Sequence, residues 1–589
     1  MTRSHHFGFL TFALILLLIP ALPFVPDFWF TLLVFIGLAS LVAIGLVLLT
    51  GVGGMTSFGQ AAFVGFGAYA SAVLTTGWGW SPWLTLPVSI AVTAIAALII
   101  GLVTVRLSGH YLPLGTIAWG IAFYYLFGNI QGLGAYDGIS AIPPLYLFGY
   151  PLISARSFHL VVWISVLLAI AATLNLLDSR VGRSIRSLRS GVAAAESVGV
   201  DIWRAKLLVF VYAAVLAGIA GWLYAHFQRA VTPGAFSIGA GIEYLLMAVL
   251  GGAGHVYGAV LGAAVVILLK DFLQDWLPVL FGGGGHYEGI VFGVLLVALL
   301  QELREGFWPA FAHRSRVGER AIPPDAAPLP HGGFAANGAP LLVVKGARKQ
   351  FGGLIAVDDV SFEVGRGEIV GLIGPNGAGK STTFDLVTGV SELSGGRIEF
   401  LGERLDGLRP AEIAARRIAR TFQHVKLSPQ MPVLENVALG CHLRGREGVL
   451  SAMLGLNRRE EAAIFAEAAR QIERVGLAAQ MHLPAATLPL GQQRLAEIAR
   501  ALCVDPLLLM LDEPAAGLRH QEKQALATLI RQLRDEGMSI LLVEHDMDFV
   551  MQLTDHIVVL NFGKRIATGA PAEVRRNPAV IEAYLGAEA

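Results

Sequence analysis

The chain has 589 residues, 55% of them hydrophobic and 15% charged, with 43 basic and 43 acidic side chains. A soluble domain carries roughly 25% charge, so a wholly soluble protein is excluded, and so is intrinsic disorder. Balanced signs give no global attraction to nucleic acid, and two cysteines, Cys441 and Cys503, rule out a disulfide framework or a zinc site.

The charge is unevenly spread: 23 charged residues lie in the first 305 positions and 63 in the last 284. The length allows several folding units, and the first part has membrane composition whereas the second has soluble-enzyme composition. No charge occurs between Asp27 and Arg106, a run of 78 positions. At about 20 apolar residues per crossing, that run alone holds three or so membrane helices. The predicted segments are Phe9–Val25, Phe28–Leu49, Phe58–Thr76, Trp83–Val105, Pro113–Ile130, Phe158–Leu177, Lys206–His226, Gly241–Leu269 and Tyr287–Leu300. Gly241–Leu269 holds Gly251, Gly252 and Gly254, too much glycine for one straight helix, so it is a candidate re-entrant element.

Arg3, His5 and His6 precede the first segment, but Phe24-Val25-Pro26-Asp27-Phe28 offers no small-x-small cleavage pattern, so a retained helix is expected. Trp29, Trp78, Trp80 and Trp83 stand near segment ends, as interfacial aromatics do. Arg180, Arg183, Arg186, Arg189, Arg204 and Lys206 form the densest basic loop, which is expected to face the cytoplasm. An even number of crossings then separates Lys206 from the soluble part. Asp137 and Glu243 read as loop or helix-end residues in water, the alternative being a cavity-facing site.

From Gly306 to Pro340 prolines recur at 309, 323, 324, 328, 330 and 340 with no apolar periodicity, which reads as a linker. The expected organisation is therefore a membrane part over 1–305, a linker over 306–340 and a soluble domain over 341–589. Strand-like and helix-like stretches alternate after the linker, the pattern of an α/β nucleotide-binding domain.

Within it, Gly374-Pro375-Asn376-Gly377-Ala378-Gly379-Lys380-Ser381-Thr382 follows the strand-like Glu368–Ile373, with a helix predicted from about Lys380. Glycines let successive backbone N–H groups converge on phosphate oxygens at a helix N-terminus. Lys380 adds a positive charge, and the Ser381 hydroxyl suits a Mg²⁺ shell. A second apolar strand ends in Asp512-Glu513. That ending delivers Asp512 to the metal and Glu513 to the attacking water.

With these motifs the soluble part resembles the ATPase domain of an ABC transporter, over about Leu341–Gly586. Leu488-Pro489-Leu490-Gly491-Gln492-Gln493-Arg494 stands in the place of the signature Leu-Ser-Gly-Gly-Gln. Gln423, in Arg420-Thr421-Phe422-Gln423, matches the glutamine loop; His545, in Val543-Glu544-His545-Asp546, matches the switch histidine; Phe351 lies where the family stacks a ring on adenine. The resemblance implies ATP and Mg as cofactors, with Ser381, Gln423 and Asp512 around the metal and Glu513, His545 and Gln423 as the catalytic set. It implies that Leu490, Gly491 and Gln492 act in trans, on the ATP of a partner cassette. Two departures stand out: Pro489 replaces the signature serine, and Arg519 the usual aspartate after Ala515-Ala516-Gly517-Leu518.

The subfamily is legible too. Gly569-Ala570-Pro571, Asn577-Pro578 and Ala583-Tyr584-Leu585-Gly586 resemble the tail of ATPases in branched-chain amino-acid (LIV-type) importers. Leu49-Thr50-Gly51, Ser57-Phe58-Gly59-Gln60-Ala61-Ala62-Phe63 and Arg106-Leu107-Ser108-Gly109-His110-Tyr111 resemble their permease. Ala193-Ala194-Ala195-Glu196-Ser197-Val198-Gly199 is similar to the importer coupling loop, Glu-Ala-Ala-x-x-x-Gly, with Ala193 in place of its glutamate. The fold expected is a multispan α-helical permease followed by an α/β P-loop ABC ATPase domain. The resemblance implies a cytoplasmic (inner) membrane protein with its ATPase in the cytoplasm. Its implied partners are a second permease subunit, a second ABC ATPase subunit, an extracytoplasmic substrate-binding protein and membrane lipid, with no nucleic acid. A urea or short-chain amide importer shares the permease strings, and an exporter or a non-transporting sensor are further alternatives.

Overall fold

The computed structural model describes residues 11–14, 16–107, 109–281, 288–302, 306–312, 320–333 and 340–585. Arg3, His5, His6, Phe9, Ser108, Tyr287 and Gly586, named above, lie outside them. The chain forms two compact units that are not contiguous in sequence. One comprises Met1–Ile185, Trp203–Arg320 and Val449–Leu456; the other comprises Arg186–Ile202, Ala321–Gly448 and Asn457–Ala589.

The first unit is helical. Among the described residues, five helices are long and apolar enough to cross a membrane: Asp27–Val52, Pro82–Thr104, Ala155–Leu177, Ile202–Gln228 and Val256–Val279. Two further helices, Gln60–Gly77 and Tyr111–Asn129, cover predicted segments with less apolar sequence. Asp27–Leu46 is the central helix, buried along most of its length, and its last turn loosens into a π-helical turn at Val47–Val52.

The glycine-rich segment is two helices, Ile238–Gly252 and Val256–Phe281. Their backbones touch: a Cβ on Gly251 would lie 1.8 Å from the Gly258 carbonyl oxygen, so only glycine lets them approach. Gly51 of the Leu49-Thr50-Gly51 string packs at the break itself, where a Cβ would fall 1.2 Å from the Ala253 oxygen. Glu243 lies within the first of these helices, not at its end, and pairs with Lys270 of the second at 2.8 Å. Asp137 sits in a turn.

The second unit holds two sheets. Leu342–Phe351, Leu354–Val364, Gly395–Phe400 and Glu403–Arg404 form an antiparallel sheet. The six-stranded sheet runs in the spatial order Ile418–Arg420, Leu508–Asp512, Ser539–Val543, Ile369–Ile373, His556–Asn561 and Lys564–Gly569. All its pairings are parallel except the last. Ile369–Ile373, Leu508–Asp512 and Ser539–Val543 are buried throughout, which explains their unbroken apolar runs.

Residues 306–340 contain a short helix, Phe307–Ala312. Further on, Asp505 accepts hydrogen bonds from His331 Nδ1 (2.8 Å) and the Gly332 N–H (2.9 Å), and pairs with Arg417 at 2.9 Å.

Arg186–Ile202 belongs to this unit and carries the helix Val192–Glu196. Asp201 pairs with Arg409 at 3.3 Å and Arg186 with Glu435 at 2.5 Å. Gly199 adopts φ +88°, and a Cβ there would lie 2.2 Å from Leu443 Cγ.

Candidate nucleotide site

The phosphate loop leaves the buried strand Ile369–Ile373 and enters the helix Lys380–Val387. Gly374, Gly377 and Gly379 take φ of 153°, 80° and 96°, conformations that L side chains resist. Two are also confined: a Cβ on Gly374 would meet the Leu560 oxygen at 2.1 Å, and one on Gly379 the Ala356 oxygen at 2.5 Å. Lys380 Nζ donates to the Gly374 and Pro375 carbonyls at 2.8 and 2.9 Å, which spans the loop from inside. Burial pulls the Lys380 pKa down, against the pull of Glu513 and Asp512 in the opposite direction. Ser381 is exposed at the same helix start.

The strand Leu508–Asp512 delivers two carboxylates of different character. Asp512 is buried, and its Oδ1 has no hydrogen-bond partner. Burial pushes its carboxyl up to about 6; Arg420, 3.9 Å away, opposes this, and the carboxylates of Glu513, Asp385 and Glu544 add to it. A buried, unpaired oxygen of this kind fits a cation ligand, the role that would satisfy it.

Glu513 turns out of the strand at φ +48°. Its N–H donates to the Val543 carbonyl (2.8 Å), and its own carbonyl accepts from Arg494 Nη1 (2.8 Å). Its carboxylate lies 2.5 Å from His545 Nε2. The structure thus brings Lys380, Asp512, Glu513 and His545 into one cluster.

Gln423 is exposed in the loop after Ile418–Arg420, and its carbonyl accepts from Arg494 Nη2 at 3.1 Å. Phe351 closes the strand Leu342–Phe351, half exposed, with the Lys349 ammonium 4.9 Å from its ring centroid. Leu490, Gly491 and Gln492 open the helix Leu490–Leu502, whose N-cap is Pro489 without a side-chain cap. Among the described residues no hydrogen bond or ion pair joins them to the phosphate loop. Arg519 caps the helix His520–Asp535, its N–H bonded to Glu522.

Sequence reasoning missed four residues. Arg494 joins the glutamine loop to Glu513. Buried Glu497 accepts from the Phe422 and Lys426 N–H groups (3.4 and 3.2 Å) and from Arg500 (2.9 Å). Arg500 also donates to the Lys426 carbonyl at 2.6 Å. Glu544, its carboxyl raised by burial, accepts from the Ala515 and His545 N–H groups. A signal existed for two of them: Glu497 and Arg500 interrupt the Ala496, Ile498, Ala499 run where the helix turns inward.

The family described as branched-chain amino acid transport system / permease component matches residues 28–300, and ABC transporter matches 357–516. The family described as branched-chain amino acid ATP-binding cassette transporter matches 564–589. The high-affinity branched-chain amino acid transport ATP-binding protein LivG of Salmonella typhimurium is 46% identical over 250 residues, 42% of this chain and 98% of its own length. Its counterpart BraF of Pseudomonas aeruginosa is 44% identical over the same shares. The chain belongs to the branched-chain amino acid ABC transporters.

In this transporter, permease and ATP-binding cassette share one polypeptide. The Archaeoglobus fulgidus protein described as a probable LivG is 36% identical over 42% of the chain and 96% of its own length. The transporter is a membrane protein, and its cassette binds ATP and couples ATP hydrolysis to transport. Membership implies further transporter subunits and a substrate-binding protein.

Proposed function

We propose that the transporter imports branched-chain or related amino acids across the cytoplasmic membrane, with residues 1–305 as permease, 306–340 as linker and 341–589 as cassette. The observation that carries the ATP chemistry is the pairing of Glu513 with His545 beside the orphan oxygen of Asp512. Glu513 takes the proton of the attacking water, and His545 fixes the carboxylate and bonds the γ-phosphate side. Lys380 and the backbone N–H groups of Gly374 and Asn376–Thr382 hold the phosphates, while Phe351 offers its exposed ring to the base. Ser381, Gln423 and Asp512 would hold Mg²⁺, which when bound neutralises charge on the phosphates. Leu490, Gly491 and Gln492 serve the ATP of a second cassette.

The basic loop supports a cytoplasmic position for Arg186–Ile202 and the cassette. Its contacts to Arg409, Glu435 and Leu443 support a coupling role for this segment. The assembly further needs a second permease, a second cassette and an extracytoplasmic binding protein. The test is ATP-dependent uptake in proteoliposomes with the cognate binding protein and a panel of radiolabelled leucine, isoleucine, valine, other amino acids, urea and short amides. Uptake led by branched-chain amino acids is expected. Uptake of urea or amides alone, or export, would overturn the assignment.

A further inference from the structure

Three leucines stand out from the rest of the cassette sequence. Leu450, Leu454 and Leu456 are 74%, 71% and 71% exposed, and beyond residue 340 only Phe562 among the described large apolar side chains is more exposed. Their arrangement is fixed by a closed helix end. The helix Val449–Met453 stops at Gly455, φ +68°. The Gly455 N–H bonds the Ala452 carbonyl at 3.0 Å, and the Leu456 N–H bonds the Ser451 carbonyl at 2.9 Å, the two bonds of a Schellman cap. Ala452 is buried, so the short helix has one seated face and one bare apolar face.

Although its sequence interrupts the cassette, this segment belongs to the membrane unit. The Asn175 amide donates to the Met453 carbonyl at 3.0 Å. Asn175 lies in the last turn of Ala155–Leu177, one of the helices able to span a bilayer. Asp178 and the basic run from Arg180 follow at once, so this helix end marks a membrane–water boundary. In sequence the leucines are bracketed by exposed Arg446 before them and exposed Arg458 and Arg459 after, with Glu447 and Glu460 beside these arginines; Arg444 is instead bonded to the Cys503 and Pro330 carbonyls. Leucines flanked by arginines suit an interface where apolar groups meet acyl chains and cations meet lipid phosphate.

We propose that Val449–Leu456 is a membrane-interface anchor. Leu450, Leu454 and Leu456 enter the acyl boundary of the leaflet at the end of Ala155–Leu177, and the flanking arginines face anionic phospholipid. That this leaflet is cytoplasmic rests on the orientation proposed above; the anchor itself goes beyond the transport reading.

The test uses the full-length transporter in nanodiscs of zwitterionic and anionic lipid. Nitroxides are placed singly through Leu450→Cys, Leu454→Cys and Leu456→Cys; the native Cys441 and Cys503 are buried. Collisions with oxygen, which concentrates in lipid, are compared with collisions with a water-soluble nickel chelate. Leu168→Cys, 65% exposed midway along Ala155–Leu177, is the lipid reference, and Glu473→Cys, exposed on Arg458–Arg474, is the water reference. The three leucine sites are expected to lose nickel collisions and gain oxygen collisions, as Leu168→Cys does. A water-like signal at the leucines beside a lipid-like signal at Leu168→Cys overturns the anchor alone. Low collision with both reagents means that a protein partner covers the leucines, and it also overturns the anchor. A water-like signal at Leu168→Cys overturns the membrane placement of the helix, and the anchor with it.

Discussion

Glu513 holds its carboxylate against His545 from a left-handed backbone, φ +48°, tied on both sides by hydrogen bonds to Val543 and Arg494. Such conformations persist only where the surroundings over-determine them. Glu513→Gln keeps the shape and the backbone ties but cannot accept a proton. Its ATP hydrolysis is expected to fall by roughly 10²–10⁴-fold with nucleotide binding intact, read by phosphate release beside nucleotide binding. Asp505 is a second residue with a defined expectation. Burial raises its pKa, but the Gly332 N–H, His331 and Arg417 outweigh this and hold it below 3.8. A depressed carboxyl contributes stability that is complete above the unfolded value and is lost as pH falls through the folded one. Asp505→Ala should therefore speed hydrogen exchange around Gly332 at neutral pH, and wild type should approach the variant only below pH 3.8. The meeting of Lys380, Asp512 and Glu513 at one place was legible because each ends or begins a motif of fixed spacing. The ties of Arg494 to Glu513 and Gln423, and of Glu544 to Ala515, were not, because those partners are backbone groups far away in the chain.

At the scale of elements, the helix Leu490–Leu502 and the loop Phe422–Lys426 are joined by a buried ion pair. Burial raises the pKa of Glu497, against the Arg500 charge and the two N–H donors that favour its ionised form. Removing one member of a buried pair typically costs about 3–5 kcal/mol, because the other charge stays behind uncompensated. Glu497→Ala is expected to lose that much in urea unfolding, and Glu497→Leu with Arg500→Leu to lose less. Gly199 sets another element-scale limit. Its φ of +88° and the Leu443 side chain leave no room for a Cβ, so Gly199→Glu must displace Leu443 or the helix Val192–Glu196. Uptake is expected to fall while basal ATPase activity and membrane insertion persist, measured together in proteoliposomes. If uptake is untouched, the coupling role of this segment is wrong. Helices lie over most of the segments read from apolar length. The break at Ala253–His255 was foreshadowed by glycines, but the reason for them, helix backbones in contact, is a tertiary fact that no local pattern carries.

At the scale of the whole assembly, Pro489 and Arg519 act on a neighbour's ATP if two cassettes sandwich the nucleotides. Beside a second cassette with the usual serine and aspartate, the site on this chain's own loop is the better completed. A hydrogen bond to a charged group is worth about 1.5–3 kcal/mol, or one to two powers of ten in rate. Pro489→Ser is then expected to speed hydrolysis at the neighbour's loop and leave this chain's loop unchanged. Disabling each glutamate base in turn separates the two, and an equal response would sink the asymmetry.

One feature of the molecule concerns its birth more than its working state. The segment Arg186–Ile202 folds with a unit whose remaining residues are Ala321–Gly448 and Asn457–Ala589. Arg409 follows Ile202 by 207 residues and Leu443 by 241. At about 5–20 residues per second that wait is roughly 10–50 s. For that interval Gly199 has no Leu443 to pack on and Asp201 no Arg409 to pair with, while the helices before Arg180 are already complete. Order of synthesis thus becomes order of assembly: membrane helices first, cassette last.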